Sequence, residues 1–175
     1  YAGLKKHCPE ADCHIVGSDQ VWNPAITGGE GEYLLTFAPA NKRCSYAASF
    51  GRNALPGNCQ DSFSRELRQF RQISVREKSG VELVSCMTGT KPRVDIDPSM
   101  LLHAAQWEKM LAPSKTEKSY LLLITVQNDM HLLRMATQMA KDRNLELKVI
   151  SASFFPPVGF QSWSDVSVCD WLRLV

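Results

Sequence analysis

Hydrophobic and polar positions follow two alternating periods along this chain. Cys13 to Gly17 is a short apolar run closed by Gly-Ser-Asp, and Cys44 to Ala48 is another closed by Ser49-Phe50-Gly51. Both predict strands ended by turn chemistry. Between Asp61 and Arg71, the apolar residues Phe63, Leu67 and Phe70 fall at i, i+4 and i+7, with Arg65, Arg68 and Arg71 around them, which predicts an amphipathic helix. A strand at Ile73-Ser74-Val75 follows, then a helix-compatible stretch from Glu77 towards Met87 and a strand over Pro92 to Ile96. Asp97-Pro98 supplies an N-cap and a first-turn proline for the next helix.

Ala112 to Lys118 is polar, contains a proline and has no apolar period, and reads as a linker. A second unit begins beyond it. Tyr120 to Val126 is apolar except for Thr125, as a strand covered on both faces should be. Asn128 or Asp129 can cap a helix whose Leu132, Met135, Ala136, Met139 and Ala140 form one face, with the methionines expected to fill core space. Asn144 suits a left-handed cap, and Leu145, Leu147 and Val149 then alternate as a strand. A last helix from about Asp165 carries Val168, Trp171, Leu172 and Val175. Strands alternating with helices throughout predict an α/β fold with a mainly parallel sheet.

Composition narrows the functional classes. The 175 residues are 44% apolar and 22% charged, enough for a buried core. Lys plus Arg number 20 against 18 Asp plus Glu, and a surplus of +2 gives no support to a nucleic-acid or anionic-membrane surface. Unbroken apolar runs fall far short of the roughly 20 residues that span a bilayer, so no transmembrane segment is predicted. The opening Tyr1 to His7 has neither a signal-peptide pattern nor an initiator Met, which suggests an internal cut. None of the six Cys has the two-residue spacing of zinc ribbons or redox pairs. His7-Cys8 with Cys13-His14 places four soft ligands close together, but adjacent ligands chelate one ion poorly, and no metal site is assigned.

In open parallel sheets, ligands bind outside the carboxyl ends of the strands. Those ends gather Ser18, Asp19 and Gln20, then Ser49 and Gly51, then Arg76 and Glu77, then Asp95 and Asp97, then Gln127 and Asn128. Small donors, carboxylates and an arginine suit an anionic ligand beside a group that moves a proton. Each also has a plainer reading: Asp97 as a cap, Asp95 as a solvated turn residue, Ser49-Phe50-Gly51 as a tight turn. The dinucleotide, P-loop and zincin signatures are all missing from the sequence.

Four blocks in order then point to a family. Gly17-Ser18-Asp19-Gln20-Val21-Trp22-Asn23-Pro24, Ser45-Tyr46-Ala47-Ala48-Ser49-Phe50-Gly51, Ile73-Ser74-Val75-Arg76-Glu77, and Asp97-Pro98-Ser99-Met100-Leu101-Leu102 with Trp107 resemble polysaccharide pyruvyl transferases over about residues 10 to 151. The resemblance implies two Rossmann-like units with mainly parallel sheets, similar to the GT-B arrangement of glycosyltransferases. Residues 1–112 would be the remainder of the N-terminal unit, 113–118 the linker, and 119–175 the start of an incomplete C-terminal unit. The family's opening strand would precede Tyr1, and its Ser-Phe-His-Gly block, with the expected catalytic His, would follow Val175. None of the four His here inherits that role.

The implied reaction moves the enolpyruvyl unit of phosphoenolpyruvate onto two hydroxyls of a saccharide or lipid-linked saccharide, forming a pyruvate ketal and releasing phosphate. It asks for a carbon acid, donors for carboxylate and phosphate, and a base for a sugar hydroxyl. Arg76 is the candidate anion clamp and Asp19 the candidate base or hydroxyl acceptor. Ser18, Gln20 and Asn23 are candidate positioning donors, and Ser49, Gln127 and Asn128 further substrate contacts. Trp22 suits either a sugar-stacking platform or the core. No metal or organic cofactor is expected beyond the donor substrate, and a cytoplasmic location is. The 175-residue piece is itself expected to be inactive. Two rivals stand beside this reading: a GT-B-type glycosyltransferase using a nucleotide sugar, and a non-catalytic remnant.

Overall fold

The computed structural model describes residues 2–8, 10–111, 119–126, 129–151 and 167–174. Its elements are α1 (Ala2–His7), β1 (His14–Val16), α2 (Pro24–Thr27), β2 (Arg43–Ser45), α3 (Gly57–Leu67), β3 (Ser74–Val75), α4 (Lys78–Thr88), β4 (Arg93–Val94), α5 (Ala104–Glu108), β5 (Tyr120–Thr125), α6 (Met130–Asp142), β6 (Glu146–Ser151) and α7 (Val168–Leu174). Short 3₁₀ turns lie at Gly31–Leu34, Ala40–Lys42 and Pro98–Met100. Every strand pairing is parallel: β1 with β2, β3 with β4, and β5 with β6. The chain is therefore α/β. It divides into two compact units, Tyr1–Leu102 and His103–Val175, while residues 112–118, expected as the linker, lie outside the described residues.

In the first unit, parallel bridges Cys44–Gln72 and Ala48–Val75 join β2 to β3. All four strands thus run side by side, and their carboxyl ends emerge together. The strands are shorter than the apolar runs that predict them. β2 stops at Ser45 because Ala47 takes a left-handed φ of 48°, and Ala48 resumes pairing one residue out of phase. The stretch after Asp97 forms a 3₁₀ turn and then α5 rather than one continuous helix, although Asp97 caps the turn as expected, accepting from Ser99 N. The core sits under the strands. Trp22, Phe50 and Phe63 are fully buried, with Trp22 and Phe50 ring centroids 5.2 Å apart and Phe70 set edge-on to Trp22 at 5.9 Å. α3 supplies Phe63 and Leu67, and Phe70 packs from the turn just beyond the helix. α4 approaches β3 closely: a Cβ on Gly80 would meet that of Val75 at 3.1 Å.

In the second unit, β5 and β6 pair in register from Tyr120–Glu146 to Thr125–Ser151. Asp129 caps α6, accepting from His131 N at 2.8 Å and Leu132 N at 3.1 Å, and Asn144 takes the left-handed φ expected of it. Tyr120 Oη donates to Leu174 O at 2.9 Å, tying α7 to β5. The expected inner face of α6 is corrected. Leu133 and Ala140 are buried with Ala136 and Thr137 partly so, whereas Leu132, Met135 and Met139 are exposed and fill no core. Apolar residues on two sides of the helix satisfy the 3.6 period in either phase, and the fold selects the side carrying Leu133.

Candidate functional site at the carboxyl ends of the strands

Gly17 ends β1 with φ 138°, and a Cβ there would collide with the Tyr46 carbonyl oxygen. Only glycine lets the chain pass this close to β2 as it turns into Ser18 and Asp19. Ser49 N donates to Asp19 O at 3.1 Å and Trp22 N to Ser49 O at 3.1 Å, which locks the turns after β1 and β2 together. Arg76 N donates to Ala48 O, and Asp95 N to Val75 O, continuing the ladder to the ends of β3 and β4. Residues far apart in sequence therefore meet on one edge.

Arg76 lies at the centre of them. Its Nη1 donates to Asp97 Oδ2 at 3.2 Å, while Nη2 faces Asp19 Oδ1 at 3.8 Å and Nε faces Glu77 Oε2 at 3.8 Å. The last two separations exceed hydrogen-bond range. One arm of the guanidinium is anchored and the Nε–Nη2 edge, the geometry that grips a carboxylate or phosphate in two places, is held by charge alone. Asp97 has more partners than any other group in the cluster. Oδ2 also accepts from Ser18 Oγ at 2.9 Å, and Oδ1 accepts from Ser99 Oγ at 2.7 Å and Ser99 N at 3.0 Å. The Ser99 hydroxyl and amide, then Ser18, then Arg76 hold this carboxyl well below the usual aspartate range, against some desolvation. Asp97 is thus an anion at any physiological pH. Asp19 is the open member: its side chain is 88% exposed and accepts from Gln20 N at 2.7 Å.

Ser49 is buried and its Oγ donates to Glu77 Oε1 at 2.9 Å, which also accepts from Phe50 N at 3.2 Å. Its hydroxyl fixes Glu77. Gln20 and Asn23 bond each other, Nδ2 to Oε1 at 2.7 Å, and Asn23 Oδ1 caps α2 through Ala25 N at 3.1 Å. These two amides hold the turn. Trp22 belongs to the core, with Nε1 donating to Tyr33 O at 2.9 Å, and offers no stacking surface. Gln127 and Asn128 lie outside the described residues. Asp95 is turned to Arg93 at 2.7 Å, which lowers its carboxyl along with a bond from Ser74. Sequence reasoning gathered Glu77 at the strand ends without giving it a role and left Ser99 out of the site. The signals were present: an acid directly after the strand-end arginine, and a hydroxyl two residues after an Asp-Pro cap.

A family model for polysaccharide pyruvyl transferase matches residues 2–166 of this chain. The chain belongs to the polysaccharide pyruvyl transferase family. No curated protein and no solved structure matches it. Membership makes it part of a transferase family whose acceptor is a saccharide, and the strand-edge cluster falls inside the matched region. Among the described residues there is no group of three or more metal-ligating side chains, and the Arg76 cation occupies the centre of the carboxylates. Cys8 Sγ lies 3.7 Å from His14 Nε2, while Cys13 Sγ donates to its neighbour's carbonyl, so the sequence cluster does not converge on one point. No helix of the described residues is long and apolar enough to cross a membrane.

Proposed function

We propose that the chain is part of an enzyme that transfers the pyruvyl unit of phosphoenolpyruvate to a saccharide as a ketal, within a frame of two Rossmann-like units resembling GT-B glycosyltransferases. The residues 113–118 would join those units. The observation that carries this reading is the half-anchored Arg76, whose Nε–Nη2 edge makes no hydrogen bond to a described residue and sits beside the exposed Asp19. In the reaction the methylene carbon of the donor gains a proton, two sugar oxygens bond to the central carbon, and the carbon–oxygen bond to phosphate breaks. Of the two hydroxyl protons released, one balances the new methyl group and the other leaves with phosphate.

Arg76 engages the donor's carboxylate or phosphate by exchanging the loose contacts to Asp19 and Glu77 for a two-point bond. Freed from Arg76, Asp19 accepts from a sugar hydroxyl and takes its proton as the oxygen attacks. Three carboxylates around one cation leave the cluster net negative, so the donor's carboxylate and phosphate together need further cations from elsewhere in the enzyme. No organic cofactor is called for. The test is incubation of the chain, and of any longer form, with phosphoenolpyruvate and a saccharide bearing free neighbouring hydroxyls, followed by phosphate release and mass analysis of the sugar. Phosphate release with a ketal-bearing product supports the reading, and release of nucleoside diphosphate from a nucleotide sugar instead would replace it with glycosyl transfer.

A further inference from the structure

The opposite edge of the first unit carries a different chemistry. A hollow of about 510 Å³ opens where the chain enters β3 and β4, within the size range of small-molecule sites. Its lining includes Arg68, Arg71, Lys91 and Arg93 and not one carboxylate, although the whole chain is close to charge balance. Two of these cations are committed. Arg68 donates through Nε and Nη2 to Met87 O at 3.0 and 2.8 Å, closing the end of α4, and Arg93 pairs with Asp95. Arg71 and Lys91 form no ion pair with any described residue. Both line this one hollow, Arg71 from the segment that leads into β3 and Lys91 from the segment that leads into β4. Beneath them Ile73 and Val84 give an apolar floor. Arg71 and Arg68 also border an adjoining hollow of about 500 Å³.

Two cations that line one hollow without an ion pair to a described residue cost electrostatic free energy, and an ion with two negative charges relieves it. A carboxylate brings one charge and a phosphate ester up to two, with oxygens for both the arginine fork and the lysine ammonium. The apolar floor suits a carbon skeleton attached to that phosphate. We infer that the hollow between Arg71 and Lys91 binds a phosphate-bearing ligand with an apolar portion, at a site separate from the Arg76 cluster and independent of the transfer reaction. Either a free phosphate ester or a lipid phosphate headgroup has this chemistry.

Two probes distinguish the sources, each applied to the full 175-residue chain at low salt. Inorganic pyrophosphate is titrated while backbone amide shifts are followed, and vesicles of phosphatidic acid, whose phosphomonoester headgroup reaches two negative charges, in a phosphatidylcholine background are used for co-sedimentation. The comparison protein is the double variant Arg71→Gln, Lys91→Gln, whose side chains form no ion pair with a described residue, with amide spectra checking that the fold is kept. Saturable pyrophosphate shifts at Gln72, Ile73, Thr90 and Lys91, at least about tenfold weaker in the variant, identify a free phosphate ligand. Vesicle binding that the variant loses, without saturable pyrophosphate binding, identifies a headgroup. Binding of neither probe, binding unchanged in the variant, or shifts confined to Arg76 and Asp97 would each overturn the assignment.

Discussion

At the scale of single residues, Arg76 and Asp97 form a unit in which the carboxylate holds the arginine ready. A lysine at position 76 keeps the charge but presents one point donor where the guanidinium faces three carboxylates. Arg76→Lys should weaken phosphoenolpyruvate binding by about 1–3 kcal/mol, the scale of a charge-assisted bond left unmade, in calorimetric titrations beside wild type. An unchanged affinity would reduce Arg76 to a surface ion pair. Asp97 makes a prediction of its own through pH. Its folded carboxyl titrates below the unfolded value of about 4, so its contribution to stability is complete above that pH and is lost as pH falls further. Urea unfolding should show wild type more stable than Asp97→Asn near pH 7, with the gap closing below about pH 4. A gap constant down to pH 2.5 would mean that the charge contributes nothing. Asp97 also shows how far the sequence was legible. Its Asp-Pro spacing identifies the cap, and the cap is real, but the same carboxylate's bonds to Ser18 and Arg76 join loops 79 and 21 residues away. No local pattern encodes such contacts.

Among the elements, the positions of the strands and of the longer helices α3, α4 and α6 were readable, their extents were not, and the short α1 and α2 went unread. β2 is shorter than the apolar run that predicts it because pairing is interrupted at Ala47 and resumes out of phase at Ala48. The phase of α6 failed for a related reason: an apolar period states that a face exists, but when two faces are apolar the neighbouring sheet chooses between them. Trp22 shows the same limit in the candidate site. Its place in the Ser18 to Asn23 turn suits a sugar platform, yet burial against Phe50 and Phe70 makes it the anchor that holds that turn to the core. Trp22→Ala should therefore cost about 3–5 kcal/mol in denaturant unfolding, as for large aromatic truncations elsewhere. A loss under about 1 kcal/mol would place the indole outside the core.

Over the whole molecule, the arrangement of strand ends does what no single motif could. Ser18, Asp19, Glu77, Arg76 and Asp97 come from the ends of three strands and meet only because every pairing in the first unit is parallel. That convergence followed from the alternation of strands and helices, and it was the most dependable functional inference the sequence offered. It also separates the two charged regions, since Arg71 and Lys91 lead into β3 and β4 while Arg76 and Asp97 leave them. An unfolded chain brings neither group together, so a ligand of either site binds the folded form alone and raises its stability by mass action. Phosphoenolpyruvate at about 100 times its dissociation constant should add roughly 2.7 kcal/mol. For a folded unit of this size that corresponds to a melting shift on the order of 10 °C. Arg76→Ala should melt cooperatively but lose most of the shift, and the Arg71→Gln, Lys91→Gln variant should keep most of it, because the donor's carboxylate and phosphate together are matched to the strand-end cluster and only weak phosphate binding is left to the other edge. Melting curves of the three proteins with and without phosphoenolpyruvate decide the matter: a shift that survives Arg76→Ala and disappears in the double variant would move donor binding to the cationic hollow and leave the strand-end cluster to the saccharide.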